Sequence, residues 1–298
     1  MTLRIGSRGS PLALAQAELV RSALAETGVD AEIVPMKTSG DAGTDAKASP
    51  QGLKGLWIDT IMAALRLGEL DLAVHSAKDL PAADEDGIVI AAVPRRADPR
   101  DVLVARTADL ELGPDIVVGT SSVRRAALLR AAHPGIEIRE FRGNVDTRLR
   151  RLFEGAVQAT VLAAAGLERL GVEPRHARAL GPDEMIPAPG QGCLAVQCRT
   201  DDRGTMARLT LLDHAPSHAA LDAERALMQR LGGGCALPLG ALARERGGRL
   251  ELVAAVASPD GTRVARAAVR AITPEAAADA AERQLSDEGA GEILAALG

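Results

Sequence analysis

Three kinds of side chain in this sequence sit where they could do chemistry. They are arginines beside helix starts, an aspartate after an apolar strand, and a cysteine in a run of glycines. In GSRGSPLAL, Arg8 and Ser10 stand where a strand gives way to a helix. Backbone N–H groups and the helix dipole favour an anion at such a point, and a guanidinium adds a fork of donors. VGTSSVRRAALL repeats the arrangement, with Thr120, Ser121 and Ser122 as capping hydroxyls and Arg124 and Arg125 in the first turn. Cations are poorly placed at a helix N-terminus unless something negative compensates, so the pair points to a bound anion. FRGNVDTRL adds Arg142 and Arg148 around a turn at Gly143. Spacing alone would equally suit them as surface helix residues.

AVHSAKDLP sets His75, Ser76, Lys78 and Asp79 just past a buried strand, the edge at which open α/β sheets bind ligands. Pro81 should hold the segment at Asp79 extended. A carboxylate among cations can stabilise positive charge or move a proton; the plainer reading is an aspartate that caps a turn. His75 reads as a hydrogen-bonded core residue before it reads as a base. RLGGGCALPLG places Cys235 on a loop, because glycine and proline break both helix and strand. A thiol there is either a small hydrophobe or a reactive group. Trp57, in GLKGLW, is either core or a ring that stacks on a flat ligand.

These groups need a scaffold, and strands alternate with helices along the chain. LRIG is a strand, the segment from Ser10 to Gly28 a capped helix, and AEIVPM the next strand. A Gly, Ser and Asp-rich loop follows, then a helix over LWIDTIMAALRLGE and strands at DLAVHS and GIVIAAVP. PRRADPRDVLVA, bracketed by Pro94 and Pro99, reads as a hinge. A second set follows: IVVGT, a helix from Ser121 or Ser122, IEIREF, the helix NVDTRLRRLFEG, and ATVLAAAG. Such alternation predicts mostly parallel sheets covered by helices. IPAPGQGCLAVQCR crosses into another strand that returns to the first half. The last part is a helix over HAALDAERALMQRLGGG, a hairpin turning at Pro-Asp-Gly, and two Ala-rich helical segments.

Composition narrows the function. The chain has 298 residues, 47% apolar and 25% charged, so cores of ordinary size are within reach. Aromatic residues are 1%, which leaves Leu, Val, Ile and Ala to fill them. The net charge of −5 argues against nucleic acid as a partner, and there are almost no aromatics for base stacking. Yet eight arginines lie between Ser121 and Arg151 against three acidic residues, a local anion site or a solvated helix face. No stretch reads as a signal peptide or a membrane span. Three cysteines, Cys193, Cys198 and Cys235, without CxxC spacing argue against disulfides and zinc and for a reducing cytoplasm.

Taken together, LRIGSRGSPLALAQA, HSAKDLP, DPRD, VGTSSVRR, RGNVDTRL, AAAGLERLG, PAPGQG and AERALMQRLGGGC, in that order, resemble the porphobilinogen deaminase (hydroxymethylbilane synthase) family over nearly the whole chain. The resemblance implies an α/β fold of two periplasmic-binding-protein-like lobes with an active-site cleft between them and a small C-terminal α+β domain. The division expected is residues 1–93 with 194–211, residues 94–193, and residues 212–298. It implies a transferase that condenses four porphobilinogen molecules head to tail, releasing ammonia, to give hydroxymethylbilane for tetrapyrrole (porphyrin and heme) biosynthesis. Cys235 would carry a dipyrromethane cofactor through a thioether, and no metal is implied. Asp79 matches the catalytic aspartate. Ser76, Lys78, Thr120, Ser122, Arg124, Arg125 and Arg148 match cofactor-binding positions, and Arg8, Arg142, Arg169 and Gln191 substrate-binding ones. Lys54 and Trp57 match a lid loop over the site.

Three departures stand out. A second family lysine has no counterpart, since Lys47 is out of register. Trp57 replaces a phenylalanine, and Cys193 occupies a place that is usually small and inert. The resemblance further implies a cytoplasmic monomer, without nucleic acid or membrane, whose product passes to tetrapyrrole cyclisation. The competing reading is a two-lobed module that binds a carboxylated solute without transforming it.

Overall fold

The computed structural model describes residues 2–36, 52–233 and 237–297, and for residues 52–57 the backbone alone. Cys235 and Lys47 lie outside the described residues, as do the side chains of Lys54 and Trp57. In chain order the first elements are β1 (Leu3–Arg8), α1 (Pro11–Glu26), β2 (Ala31–Met36), α2 (Gly52–Arg66), β3 (Leu72–Ser76) and β4 (Ile88–Ala92). Next come β5 (Asp101–Ala105), β6 (Val117–Gly119), α3 (Val123–Ala132), β7 (Glu137–Arg139), α4 (Val145–Phe153), β8 (Ala159–Ala163), α5 (Ala164–Arg169) and β9 (Ala177–Ala179). The remainder is β10 (Leu194–Arg199), α6 (Arg203–Leu209), α7 (Ala215–Arg230), β11 (Leu239–Arg246), β12 (Arg249–Ala257), β13 (Val264–Ala271), α8 (Pro274–Asp287) and α9 (Ala290–Ala295).

The chain divides into two compact units, Met1–Arg96 with Cys193–His218, and Ala97–Gly192 with Ala219–Gly298. One boundary falls between Pro94 and Pro99, inside the segment expected to act as a hinge.

The first unit holds a five-stranded sheet in the order β2-β1-β3-β10-β4. Strands β1, β2 and β3 run parallel, while β10 is antiparallel to both β3 and β4. The second unit holds the order β7-β6-β8-β5-β9, again with two parallel and two antiparallel pairings, β5 being antiparallel to β8 and β9. The expectation of mostly parallel sheets is therefore corrected: both sheets are mixed. The physical reason is that β10 and β5 enter after irregular crossings rather than through a β-α-β turn, so no helix fixes their direction. β10 does return to the first sheet as expected. β5 itself lies within the segment read as a hinge, and all five of its residues are buried.

Local chemistry explains the elements that hold the site. Ser10 Oγ accepts from Ala13 N at 3.3 Å and Pro11 takes the first helical position, which starts α1 directly after β1. Pro35, which cannot donate to a ladder, sits in β2 at the sheet edge. Ser122 Oγ accepts from Arg125 N at 3.3 Å and starts α3. The first core gathers Leu3, Ile5, Val20, Leu24, Val74 and Val196. The second runs from β6, β8 and α3 to β12, so the three-stranded sheet β11-β12-β13 shares its apolar filling with that unit.

Candidate active site

In the first unit, β1, β3 and α1 converge on an open pocket of about 570 Å³, solvent at its mouth included. Its lining includes Arg8 at the end of β1, Gln16 on α1, and His75, Ser76 and Asp79 at and beyond the end of β3. Four sequence-selected residues, Arg8, His75, Ser76 and Asp79, are thus brought together. Asp79 and Lys78 lie in a 3-10 turn, Ala77–Asp79, and both are half-buried. The expectation of extended geometry at Asp79 is corrected by one position. Leu80, the residue directly before Pro81, carries the extended backbone (φ −74°, ψ 149°).

His75 is buried, and its Nε2 has no hydrogen-bond partner among the described residues, unlike the satisfied core histidine expected. Burial pushes its pKa down to about 4; the neighbouring Asp79 carboxylate works against this and the Arg8 guanidinium adds to it. The imidazole is therefore neutral at pH 7.

Gln16 escaped the sequence reading. It is buried, and its Nε2 donates to Ser76 Oγ at 2.8 Å. A signal existed: Leu12, Gln16 and Val20 are spaced by four, so one polar group interrupts the apolar face of a helix.

In the second unit the hydroxyls and arginines gather at the start of α3. Thr120 is buried, and its Oγ1 accepts from Ser122 N at 3.2 Å. Arg124 and Arg125 are 3% and 7% exposed and both turn onto Asp101, the first residue of β5. Arg124 Nη2 lies 2.8 Å from Asp101 Oδ2, and Arg125 Nη2 donates to Asp101 Oδ1 at 2.6 Å. Gln191 Nε2 donates to the same Oδ1 at 3.0 Å and to Pro99 O at 2.7 Å. Backbone carbonyls complete the clamp, Ile186 O for Arg124 at 2.6 Å and Val161 O for Arg125 at 2.8 Å. Burial alone would raise the pKa of Asp101, but the two guanidiniums and the Gln191 amide hold it well below the usual carboxylate range. Asp101 was legible only as part of DPRD; its partners are far away in sequence.

Arg148 is half-buried on α4, and its Nε has no hydrogen-bond partner among the described residues. Burial lowers its pKa to about 10, and the charge of Arg125 adds to the effect. A cation in this state fits a carboxylated cofactor. Arg169 Nη2 donates to Gly192 O at 2.7 Å. Arg142 stands apart, its side chain 75% exposed and paired with Glu140 at 2.6 Å. Cys193 and Cys198 are both buried, and burial, aided by Asp202 and opposed by Arg199, pushes the Cys198 thiol up to about 11. The Cys198 thiol is therefore poorly placed to act as a thiolate.

Fold and site together define a mixed α/β protein with cationic and hydroxyl groups gathered at strand ends and helix starts, a set suited to ligands with several carboxylates. Residues 3–207 match the model of the porphobilinogen deaminase, dipyromethane cofactor binding domain, and residues 219–285 that of the C-terminal domain. The porphobilinogen deaminase of Acidithiobacillus ferrooxidans (strain ATCC 53993 / BNL-5-31) is 45% identical over 98% of this chain and 97% of its own length. That of Desulforudis audaxviator (strain MP104C) is 46% identical over 98% of this chain and 96% of its own. The chain belongs to the porphobilinogen deaminase family, transferases that condense porphobilinogen into hydroxymethylbilane with a dipyrromethane cofactor.

Proposed function

We propose that Asp79 is the catalytic carboxylate of this reaction and that arginine side chains bind the carboxylates of the growing chain. The observation that carries the reading is the position of Asp79 in the open pocket with Arg8 and Ser76, beside an imidazole that burial keeps neutral. The protein condenses four porphobilinogen units and releases ammonia at each step. Loss of ammonia leaves a cationic substrate, and the ionised Asp79 stabilises that charge and accepts hydrogen bonds from pyrrole N–H groups. After each carbon–carbon bond forms, a ring proton must leave, and Asp79 accepts it.

The dipyrromethane, when bound, supplies the terminal pyrrole carbon to which the first unit is joined. Cys235 holds it as a thioether; the burial of Cys193 and Cys198 supports this assignment. Ser76, Lys78, Thr120, Ser122, Arg124, Arg125 and Arg148 bind it, and the state of the Arg148 guanidinium supports that role. Arg8, Arg142 and Arg169 take substrate carboxylates, with the exposed Arg142 able to leave Glu140 for a stronger anion. Gln191 acts on Asp101 rather than on substrate directly. The family resemblance assigns Lys54 and Trp57 to a lid loop.

The three separate sheets support the three-part division into residues 1–93 with 194–211, 94–193 and 212–298, while the core that the third sheet shares groups the last part with the second. The family resemblance supports a cytoplasmic monomer whose product goes on to cyclisation. The test of the whole reading is turnover. Purified protein given porphobilinogen should release ammonia and hydroxymethylbilane. Binding without ammonia release would instead favour a solute-binding module.

A further inference from the structure

Three guanidiniums gather at the start of α3 and on α4, and among the described residues Asp101 is the one carboxylate ion-paired with any of them. We infer that Asp101 sets the charge of this cluster. It compensates one of the three positive charges and leaves two, the number that the acetate and propionate of a single pyrrole ring supply. This rests on the role proposed above for Arg124, Arg125 and Arg148, and makes Asp101 a positioning residue that governs how tightly the cluster holds a ring.

Geometry separates charge from orientation. Arg124 keeps its bond to Ile186 O and Arg125 its bond to Val161 O whether or not position 101 is charged. An asparagine there still offers one acceptor oxygen to Arg125, while its NH2, a donor, turns toward Arg124, which is then held, among the described residues, by Ile186 O alone. Neutralising Asp101 therefore changes the charge of the cluster more than its direction. With three uncompensated cations, the carboxylates of the cofactor and of the rings joined to it are held too strongly, in the ground state as well as in the transition state. Such tightening slows the movement of the chain that precedes the next addition, and a slow step after bond formation lowers kcat and KM together. Gln191 provides the contrast: its loss removes hydrogen bonds from Pro99 O and Asp101 Oδ1 but changes no charge.

The experiment compares Asp101→Asn and Gln191→Leu as holoenzymes, with cofactor content fixed by intact mass. KM and kcat for porphobilinogen are measured together with the mass distribution of chain-extended protein during turnover. Asp101→Asn should lower KM and kcat together by about tenfold and accumulate extended species. Gln191→Leu should shift KM less than about twofold. An Asp101→Asn enzyme with KM unchanged or raised would overturn the inference, since a mere strut gives that result, while leaving the function itself standing. Absence of both adduct and turnover in the wild type would instead remove the underlying reading.

A buried pair broken on one side can prevent folding. In that case Asp101→Asn is combined with Arg124→Gln, which restores the original charge of the cluster. A folded, cofactor-carrying double variant supports the charge account, and a double variant that also fails to fold contradicts it.

Discussion

Gln16 and Ser76, sixty residues apart in sequence, meet at 2.8 Å through Gln16 Nε2 and Ser76 Oγ, with Ser76 Oγ also 3.2 Å from Gln16 Oε1. The contact ties α1 to the end of β3, one residue before the 3-10 turn that presents Asp79. Replacing Gln16 with alanine removes both hydrogen bonds and opens space beside the turn. A net hydrogen bond contributes about 1 kcal/mol, so a misplaced Asp79 should cost about fivefold in kcat. Steady-state kinetics beside a circular dichroism spectrum check this; full activity in a folded Gln16→Ala enzyme would leave the contact without a catalytic consequence.

Asp79→Asn keeps the size of the side chain but removes its charge and its capacity to take a proton. The variant should fold, carry its cofactor and lose nearly all turnover. Ammonia release is the direct readout, and a near-normal rate would remove Asp79 from its assigned place.

His75 makes stability depend on pH. Its pKa is about 4 in the folded protein against an ordinary 6.5, so below pH 6.5 the unfolded chain binds the proton more readily. The stabilisation is present above pH 6.5 and is lost as the pH falls from there through about 4. Between pH 7 and pH 5 this amounts to about 2 kcal/mol. Urea unfolding at the two pH values should show that loss in the wild type and a smaller one in His75→Gln.

Gly192 adopts φ +90°, and a Cβ there would lie 2.6 Å from Ala97 O and 3.3 Å from Pro99 Cα. Its carbonyl also accepts from Ala97 N at 3.3 Å and from Arg169 Nη2 at 2.7 Å. Gly192→Ala therefore meets backbone on one side and strains its own backbone on the other. The expected loss is about 2–4 kcal/mol, read from the denaturation midpoint.

Local chemistry made much of the scaffold legible. Ser10 followed by Pro11 announced α1, the hydroxyls before Val123 announced α3, and AEIVPM matches β2 at both ends. Strand direction was not legible, because β5 and β10 pair with strands distant in sequence and no local pattern sets which way they run. The site divided in the same way. Arg8, Ser76 and Asp79 stand at the ends of strands, where the sheet itself brings them together. Asp101 and Gln191 could be assigned only once β5 and the crossing before β10 were placed beside α3. His75 looked like an ordinary core residue until its neighbours were known.

The central claim is covalent, and intact mass of the denatured purified protein, followed by peptide mapping, tests it most directly. The account predicts added mass equal to two pyrrole units on Cys235, with Cys193 and Cys198 unmodified. An adduct on either buried cysteine, or a bare chain that stays bare and inactive when given porphobilinogen, would contradict it.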